Sequence, residues 1–212
     1  MIDKYKHIIW DWNGTLFNDV ELSMDIINNI LRNMNLNPLS IAGYKNIFTF
    51  PIKDYYTKTG MDFDKYSFEE VGRNWITEYE KRRFEGKLFE GAREVLQFIS
   101  DNKQKQSILS AYSQNTLVEI VSYFKLENYF SHLVGLDNIY ADSKIELGKE
   151  FMKIIGNEKA DILLIGDTVH DYEVASEIGI NCILIADGHQ CKNVLLKCGV
   201  PVLTNINEIY NY

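Results

Sequence analysis

Four sets of side chains in this sequence could together act on a phosphate group. Asp11 and Ser110 each follow a short apolar run, Lys144 opens a predicted helix, and Asp167 and Asp171 come after a further apolar run. A carboxylate alone repels a phosphate dianion, so an attacking carboxylate needs a divalent cation beside it and donors that hold the phosphoryl oxygens. A carboxylate, a hydroxyl, an ammonium group and an acidic pair supply these parts. The set therefore predicts a magnesium-assisted displacement at phosphorus.

The acidic pair has the spacing of a small cation site. Asp167 and Asp171 are four residues apart at the start of a predicted helix, so both carboxylates can face one point. A few hard oxygen ligands suit Mg²⁺, which keeps several of its waters.

Each of these residues also has a simpler interpretation when it is taken alone. Asp11 could cap a helix or a turn, and Asp171 could be a helix N-cap. Ser110 could be a turn hydroxyl, and Lys144 a solvated surface lysine. Their order and spacing along one chain favour a joint site.

The elements that must position these residues alternate between helix and strand after Gly91, which predicts a parallel sheet with crossover helices. The first strand is the apolar run 8–10. The later predicted strands are 107–109, 132–134, 162–165 and 182–185, and the later predicted helices are 92–100, 116–124, 145–155 and 171–178. In such a sheet ligands bind beyond the carboxyl ends of the strands, so the chemical groups should meet at that edge. The run 200–203 contains Pro201 and is not predicted to be a central strand.

The composition of the chain argues against several classes of binding partner and cellular location. The 212 residues carry a formal net charge of -8, with 30 acidic against 22 basic residues and no long basic run, which argues against a nucleic-acid partner. No run of eighteen apolar residues and no leader-like start occur, so neither a membrane nor export is expected. The three cysteines lack paired metal spacing and fit a reducing cytoplasm.

On the basis of these residues and their order, the chain resembles the phosphoglycolate-phosphatase-like branch of the haloacid dehalogenase superfamily. The first motif of that family, D-x-D-G-T-L, reads D-W-N-G-T-L at 11–16. Ser110 and Lys144 match the second and third motifs, and 166–171 matches the fourth, G-D-x-x-x-D. The loop 186–189 also looks like one that is common in this branch. The likeness covers nearly the whole chain.

The resemblance implies an α/β fold with a Rossmann-like, three-layer parallel-sheet core and an inserted small α-helical cap domain. The core would comprise residues 1–17 and 90–212, and the cap residues 18–89. Substrate choice would lie in the cap, where Tyr44, Phe50, Tyr55 and Tyr56 either face the cleft or pack inside the cap.

The resemblance also implies a two-step hydrolysis of a small phosphorylated metabolite. Asp11 would attack phosphorus and form an aspartyl-phosphate, which water then cleaves. Mg²⁺ would be held by the Asp11 carboxylate, the Asn13 backbone carbonyl and Asp167, with Asp171 as a further ligand or as an orienting group.

The phosphate-binding groups implied by the resemblance are Ser110 and Lys144, which would hold the phosphoryl oxygens. Backbone N–H groups around Trp12, Asn13 and Ala111 would add further donors.

Position 13 departs from the family pattern, because its usual second aspartate is Asn13 here. That aspartate protonates the leaving oxygen and later deprotonates the attacking water, and an amide can do neither. Three interpretations follow. The enzyme could hydrolyse substrates with good leaving groups, such as acyl phosphates or anhydrides, or it could be a slow phosphatase in which a neighbouring group or water replaces the missing acid. The chain could also have become a phosphate-binding or partner-binding protein. We favour an active phosphatase and expect Asn13→Asp to raise turnover on a monoester with a poor leaving group.

Two other activities on the same scaffold are less favoured. A dehalogenase would not need the acidic pair. A phosphonatase would need a Schiff-base lysine from the cap, for which Lys45, Lys53 and Lys58 are the formal candidates.

Overall fold

The computed structural model describes residues 2–136, 144–156 and 158–212. Asp142 and Ser143, which precede Lys144, lie outside the described residues. The described strands are β1 (His7–Trp10), β2 (Phe17–Asn18), β3 (Lys87–Leu88), β4 (Lys105–Ser113), β5 (His132–Leu136), β6 (Ile162–Gly166), β7 (Asn181–Ile185) and β8 (Val202–Leu203).

Helices alternate with these strands after β3, as the sequence pattern predicted. The described α-helices are α1 (Val20–Asn33), α2 (Ile41–Ile47), α3 (Ile52–Lys58), α4 (Phe68–Arg82), α5 (Ala92–Asp101), α6 (Gln114–Tyr123), α7 (Lys144–Ile155), α8 (Val169–Ile178) and α9 (Lys192–Leu195). Gly179, at φ 78°, ends α8 in the left-handed conformation that favours glycine.

Six of the strands form one parallel sheet in the order β5-β4-β1-β6-β7-β8. Strand β1 lies inside the sheet, and Trp10 pairs with Ile108 on one side and Ile165 on the other. Apolar residues of α5 and α6 pack on one face of the sheet, and those of α7 and α8 pack on the other. The result is a three-layer α/β fold, and the predicted fold class is confirmed.

Two details of the sheet bear on the sequence prediction, the first as a correction and the second as a confirmation. Strand β4 extends to Ser113, so Ser110 lies inside it and not after it. The stretch around Pro201 supplies only the two-residue strand β8 at the end of the sheet order. A proline there costs the sheet little, because an edge strand needs fewer ladder hydrogen bonds.

Helices α1 to α4 form an insertion between β2 and β3, which pair antiparallel as a short ribbon with Phe17 opposite Leu88. The insertion has its own apolar cluster, in which Tyr44, Tyr55 and Tyr56 are buried. The rings of Tyr55 and Tyr56 therefore pack inside the insertion, Tyr44 is buried there with its hydroxyl 2.8 Å from His189 of the core, and Phe50 is 36% exposed. Among the described residues, we find no helix that combines the length and the apolar character needed to cross a membrane.

Candidate active site

Asp11 is the residue directly after β1, which pairs with β6. Its backbone N–H still donates to the carbonyl of Ile165 in β6 (2.9 Å), which fixes its height at the carboxyl edge of the sheet. Beyond it the chain turns tightly, because the Trp12 carbonyl accepts from the N–H groups of residues 15, 16 and 17. Gly14 takes a φ of +79°, which favours glycine. Asp11 is therefore held on a tight turn, and the residue is 8% exposed.

Asp171 lies in the first turn of helix α8. Thr168 is the N-cap, and its hydroxyl donates to Asp171 Oδ2 (2.7 Å) in a capping box. The same oxygen accepts the backbone N–H groups of Thr168 (3.0 Å) and Asp167 (3.2 Å). Asp171 is thus the third helical residue and not the N-cap, and Oδ2 is fully engaged by the helix start.

Lys144, the first residue of α7, connects two of the acidic residues. The residue is 4% exposed, and its ammonium group donates to Asp11 Oδ1 and to Asp171 Oδ1, the latter at 2.6 Å. This burial excludes the interpretation of a solvated surface lysine.

The third acid, Asp167, completes a cluster that could hold a cation. Oxygens of Asp11, Asp167 and Asp171 all lie within 4.8 Å of one another, and all three residues are buried. Thr15 Oγ1 donates to Asp167 Oδ1 (3.2 Å), and the His189 N–H donates to Oδ2 (2.6 Å). Each Asp167 oxygen thus keeps a free lone pair, unlike Asp171 Oδ2.

Electrostatics of the cluster favour a divalent cation. Burial raises the pKa of Asp11 above its usual range, Lys144 opposes that rise, and Asp171 and Asp167 add to it. Burial likewise raises the pKa of Asp167, to about 6. Three buried carboxylates face one buried ammonium, so a hard cation with charge two would balance the cluster. The donor set fits Mg²⁺.

Ser110, Ala111 and Trp12 occupy the same edge of the sheet in different ways. The Ser110 hydroxyl is buried, and within the described part of the chain it accepts the Tyr112 N–H (3.1 Å) and forms no hydrogen bond with Asp11 or Lys144. Ala111 is exposed. The Trp12 ring is fully buried and stacks on Phe17, with the ring centroids 5.6 Å apart. Trp12 can therefore offer a ligand only its backbone.

The Asn13 side chain faces two residues that the sequence analysis did not include in the site. Its Nδ2 donates to Asp19 Oδ2 (2.9 Å) and to the Tyr79 hydroxyl (2.7 Å). Tyr79, from α4 of the insertion, donates its own hydrogen to the same Asp19 oxygen (2.6 Å). A carboxylate only accepts, so the amide must present its NH₂ side here.

His189, in the loop after β7, links this group to the acidic cluster. Its Nε2 lies 3.1 Å from Asp19 Oδ1, and its Nδ1 lies 2.8 Å from the Tyr44 hydroxyl. Burial alone would raise the pKa of Asp19, but His189 and the hydrogen bonds from His189, Tyr79 and Asn13 hold it below its usual value. Burial would lower the pKa of His189, but Asp19 raises it above the ordinary value.

The sequence offered a signal for only part of this network. Asp19 stands at the N-cap of α1, where an acid is common, yet its side chain makes no capping hydrogen bond. The loop 186–189 resembled a family loop but suggested no role for His189. Nothing in the sequence pattern marked Tyr79 as other than an apolar residue of α4.

Two glycines allow the loops to close on Asp167. A Cβ added at Gly14 would lie 2.3 Å from Asp167 Oδ2, and one at Gly188 would lie 2.2 Å from the same oxygen and 2.3 Å from the Gly14 carbonyl oxygen. No L side chain fits these approaches.

Comparisons with known proteins find relatives that match most of the chain. A 5'-nucleotidase from Pseudomonas aeruginosa is 24% identical over 194 residues, which are 87% of this chain and 84% of that protein. The pyrophosphatase PpaX from Listeria welshimeri is 23% identical over 176 residues, 82% of this chain and 79% of that protein. The crystal structure of a predicted phosphoglycolate phosphatase from Haemophilus somnus superposes with a TM-score of 0.77 at 16% identity, covering 98% of this chain and 97% of that one.

A family model decides the assignment. The model for haloacid dehalogenase-like hydrolases matches residues 8–185, a span that contains Asp11, Ser110, Lys144, Asp167 and Asp171. The chain therefore belongs to the haloacid dehalogenase-like hydrolases, as the resemblance of its four motifs predicted.

Proposed function

We propose that this hydrolase is a Mg²⁺-dependent phosphatase that acts on a small phosphorylated metabolite through an aspartyl-phosphate at Asp11. The observation that carries the proposal is the arrangement around Lys144, whose ammonium group contacts both Asp11 and Asp171 inside the three-acid cluster. A buried carboxylate that is held by a buried cation, next to oxygens that fit a second cation, is suited to attack on an anionic phosphoryl group.

The roles of the residues follow from this arrangement. Asp11 attacks phosphorus, and the bond to the leaving oxygen breaks. Lys144 offsets the charge of Asp11 and holds a phosphoryl oxygen, while Asp171 holds Lys144 in place and starts α8. Ser110 and the backbone N–H groups near Trp12, Asn13 and Ala111 add donors at the same edge.

A bound Mg²⁺ would be held by Asp11, Asp167 and the Asn13 carbonyl, and it would supply charge neutralisation of the phosphate oxygens. Asp171 acts mainly as an orienting group, because its Oδ2 already accepts three hydrogen bonds and its Oδ1 accepts from Lys144.

The relatives support hydrolysis of a phosphate compound. The Pseudomonas relative is named a 5'-nucleotidase and the Listeria relative a pyrophosphatase, so a phosphate monoester and a phosphoanhydride are both within reach of this scaffold. The unpaired cysteines, which are Cys182, Cys191 and Cys198, support a reducing, cytoplasmic setting.

A panel of phosphorylated metabolites tests the proposal. We expect phosphate release from at least one compound with Mg²⁺, and loss of that release by at least about 10³-fold in Asp11→Asn, because the attacking carboxylate is gone. Asp25→Asn removes a half-exposed acid from α1 and serves as the matched control. Equal rates for Asp11→Asn and the unmodified chain would place the activity elsewhere.

A second function is favoured by one observation, the amide at position 13. A chain that had lost turnover would still bind phosphate at Lys144. Inorganic phosphate would then raise the melting temperature in the presence of Mg²⁺, and no compound of the panel would be hydrolysed.

A further inference from the structure

The segment between α2 and α3 of the insertion contacts the part of the core that carries the acidic cluster. The Phe48 ring stacks on the ring of His189, with the ring centroids 5.0 Å apart. The Phe50 ring lies 4.9 Å from the ring of His170, the second residue of α8. The loop after β7 and the start of α8 therefore both contact one short segment of the insertion.

Gln190 connects that segment to the start of α8. The residue is 1% exposed. Its Oε1 accepts the backbone N–H of Val169 (2.7 Å), and its Nε2 donates to the backbone carbonyl of Phe48 (2.8 Å). Because one partner is a donor and the other an acceptor, the orientation of the amide is defined. One buried side chain thus bonds to the core through one end and to the insertion through the other.

The core end of this connection lies next to Asp167. Val169 is the first residue of α8, and its N–H has no acceptor within the helix. In the loop after β7, the N–H of His189 donates to Asp167 Oδ2 (2.6 Å). By bonding to Val169, Gln190 holds this loop against α8 and so keeps the His189 N–H on an oxygen of the proposed cation site.

The insertion end of the connection is joined by two further hydrogen bonds between α2 and the loop after β7. The Cys191 N–H donates to the carbonyl of Lys45 (3.0 Å), and Lys45 Nζ donates to the carbonyl of Asp187 (2.7 Å). Helix α2 is thus docked on the loop, and the Gln190 side chain extends this docking to α8.

We propose that Gln190 is a positioning residue that couples the docking of α2 to the proposed cation site. Mg²⁺ binds more tightly when α2 is docked on the loop after β7, and bound Mg²⁺ in turn holds α2 there, because coupling between two sites is reciprocal. The inference rests on the proposed function and adds a regulation of its cation site by the insertion.

The physical basis of the coupling is that buried polar groups need their partners. When α2 leaves the loop, Gln190 Nε2 loses the Phe48 carbonyl, and water can solvate the amide. Oε1 then has a competing partner and holds the Val169 N–H less firmly. The His189 N–H and the start of α8 lose part of the support that places them around Asp167.

Two variants cut the connection at different points. Gln190→Met keeps the length of the side chain and removes both of its hydrogen bonds. Val169→Pro removes only the N–H that Oε1 accepts, at the first position of a helix, where proline is well tolerated. Thr168 before it is already extended, the conformation that proline favours in the preceding residue.

Calorimetric titration with Mg²⁺ in the absence of substrate gives the first readout. We expect Gln190→Met and Val169→Pro each to raise the Kd for Mg²⁺ by at least about 5-fold, the lower end of typical couplings. The double variant should bind no more weakly than Gln190→Met, because both changes cut one connection. An unchanged Kd in Gln190→Met, or effects that multiply in the double variant, would overturn the proposal.

Hydrogen exchange of the Cys191 amide, which donates to α2, gives the reciprocal readout. We expect saturating Mg²⁺ to slow this exchange by at least about 5-fold in the unmodified chain and to leave it unchanged in Gln190→Met. A role in stability alone would not make the exchange depend on Mg²⁺ through Gln190. The proposal fails if Mg²⁺ does not slow the exchange in the unmodified chain, or slows it equally in both proteins.

Gln106→Met is the matched control. Gln106 in β4 is also 1% exposed, and its amide accepts from Trp10 Nε1 (3.0 Å) and donates to the carbonyl of Leu96 (2.9 Å). We expect this variant to lower the melting temperature, as Gln190→Met does, and to keep the Kd for Mg²⁺. An equal rise in Kd in the control would mean that lost stability alone weakens the site, and the proposal would be wrong.

Two further results separate this inference from the proposed function. If Asp167→Asn abolishes Mg²⁺ binding while Gln190→Met binds like the unmodified chain, the cation site stands and the coupling fails. If both effects on Mg²⁺ are found but no phosphate compound is hydrolysed, the coupling stands and the phosphatase function fails. A chain that binds no Mg²⁺ contradicts both.

Val169→Pro decides if Gln190→Met does not fold, because it leaves the hydrogen bond to Phe48 in place. A raised Kd together with exchange of the Cys191 amide that no longer depends on Mg²⁺ supports the proposal. An unchanged Kd in this variant overturns it.

Discussion

At the scale of single residues, Lys144 shows how one buried cation serves two acids with different tasks. Asp171 has a structural task, since one of its oxygens accepts the hydrogen bonds of the capping box of α8 and the other accepts from Lys144. In the proposed mechanism Asp11 keeps Oδ2 for the attack, because the contact that Lys144 makes with it among the described residues is to Oδ1. The helix start and the carboxylate that we propose as the nucleophile are thus connected through a single ammonium group.

Replacement of Lys144 by alanine measures this connection. We expect Lys144→Ala, with Mg²⁺ removed by EDTA, to lower the free energy of unfolding by about 3–5 kcal/mol, because it leaves buried carboxylates without their cation. Urea denaturation gives the value.

Lys149 on the same helix is the control for Lys144. It is partly exposed and pairs with Glu146 (2.8 Å) and Glu177 (3.2 Å), so Lys149→Ala should cost less than about 1 kcal/mol. Similar losses for the two variants would mean that the buried contacts of Lys144 add little to stability.

At the scale of elements, two loops close on Asp167 from opposite sides. The turn after β1 brings Thr15 and Gly14 to it, and the loop after β7 brings Gly188 and the His189 N–H. The loop after β7 also receives the insertion, since Lys45 Nζ donates to the Asp187 carbonyl (2.7 Å). This loop therefore contacts the acidic cluster and the insertion at once.

A methyl group at Gly188 tests how tightly these loops pack. We expect Gly188→Ala to destabilise the chain by about 2 kcal/mol or more, because its Cβ would lie 2.3 Å from a backbone oxygen that cannot move aside cheaply. Thermal denaturation measures the loss.

The matched control is Gly72→Ala in the middle of α4, where a Cβ meets nothing within 4 Å. We expect it to raise stability by about 0.5–1 kcal/mol, the usual gain of alanine over glycine in a helix. If Gly188→Ala were as stable as Gly72→Ala, the two loops would accommodate a methyl group at position 188, which would contradict the close packing described here.

At the scale of the whole molecule, the proposed cation site would join the residue after β1 to the residue after β6. A cation that binds only the folded chain should stabilise it by about 2.7 kcal/mol when its concentration is 100 times its Kd. We expect Mg²⁺ to raise the melting temperature of the unmodified chain and to raise it much less in Asp167→Asn. Asp101→Asn, at an exposed acid of α5, should keep the full rise. An equal rise in all three proteins would locate the bound ion elsewhere.

The sequence predicted the sheet and the acidic cluster because both depend on local patterns. Apolar runs that end in an acid or a glycine mark the strand ends, and parallel strands bring their carboxyl ends to one edge. Asp11, Lys144, Asp167 and Asp171 could therefore be grouped before any coordinates were available.

The partners of Asn13 could not be predicted in this way. Tyr79 is 66 positions from Asn13, and His189 is 170 positions from Asp19. These pairs form because the insertion packs against the core. The hydrophobic periodicity of the sequence predicts helices and strands, but it does not predict which residues of the insertion contact the core. Asp19 stands at the N-cap of α1, a position where an acid commonly caps the helix, but its side chain makes no capping hydrogen bond.

We propose that residues 18–89 form the cap as a separate unit and that the ribbon of β2 and β3 is its base. Asn18 pairs directly with Lys87, so the chain leaves the core and returns to it at neighbouring points. The span that the core must bridge is therefore the same whatever lies between these two residues. Selection can lengthen, shorten or reshape the intervening helices without disturbing the register of the sheet, which lets substrate preference evolve while the catalytic scaffold stays constant.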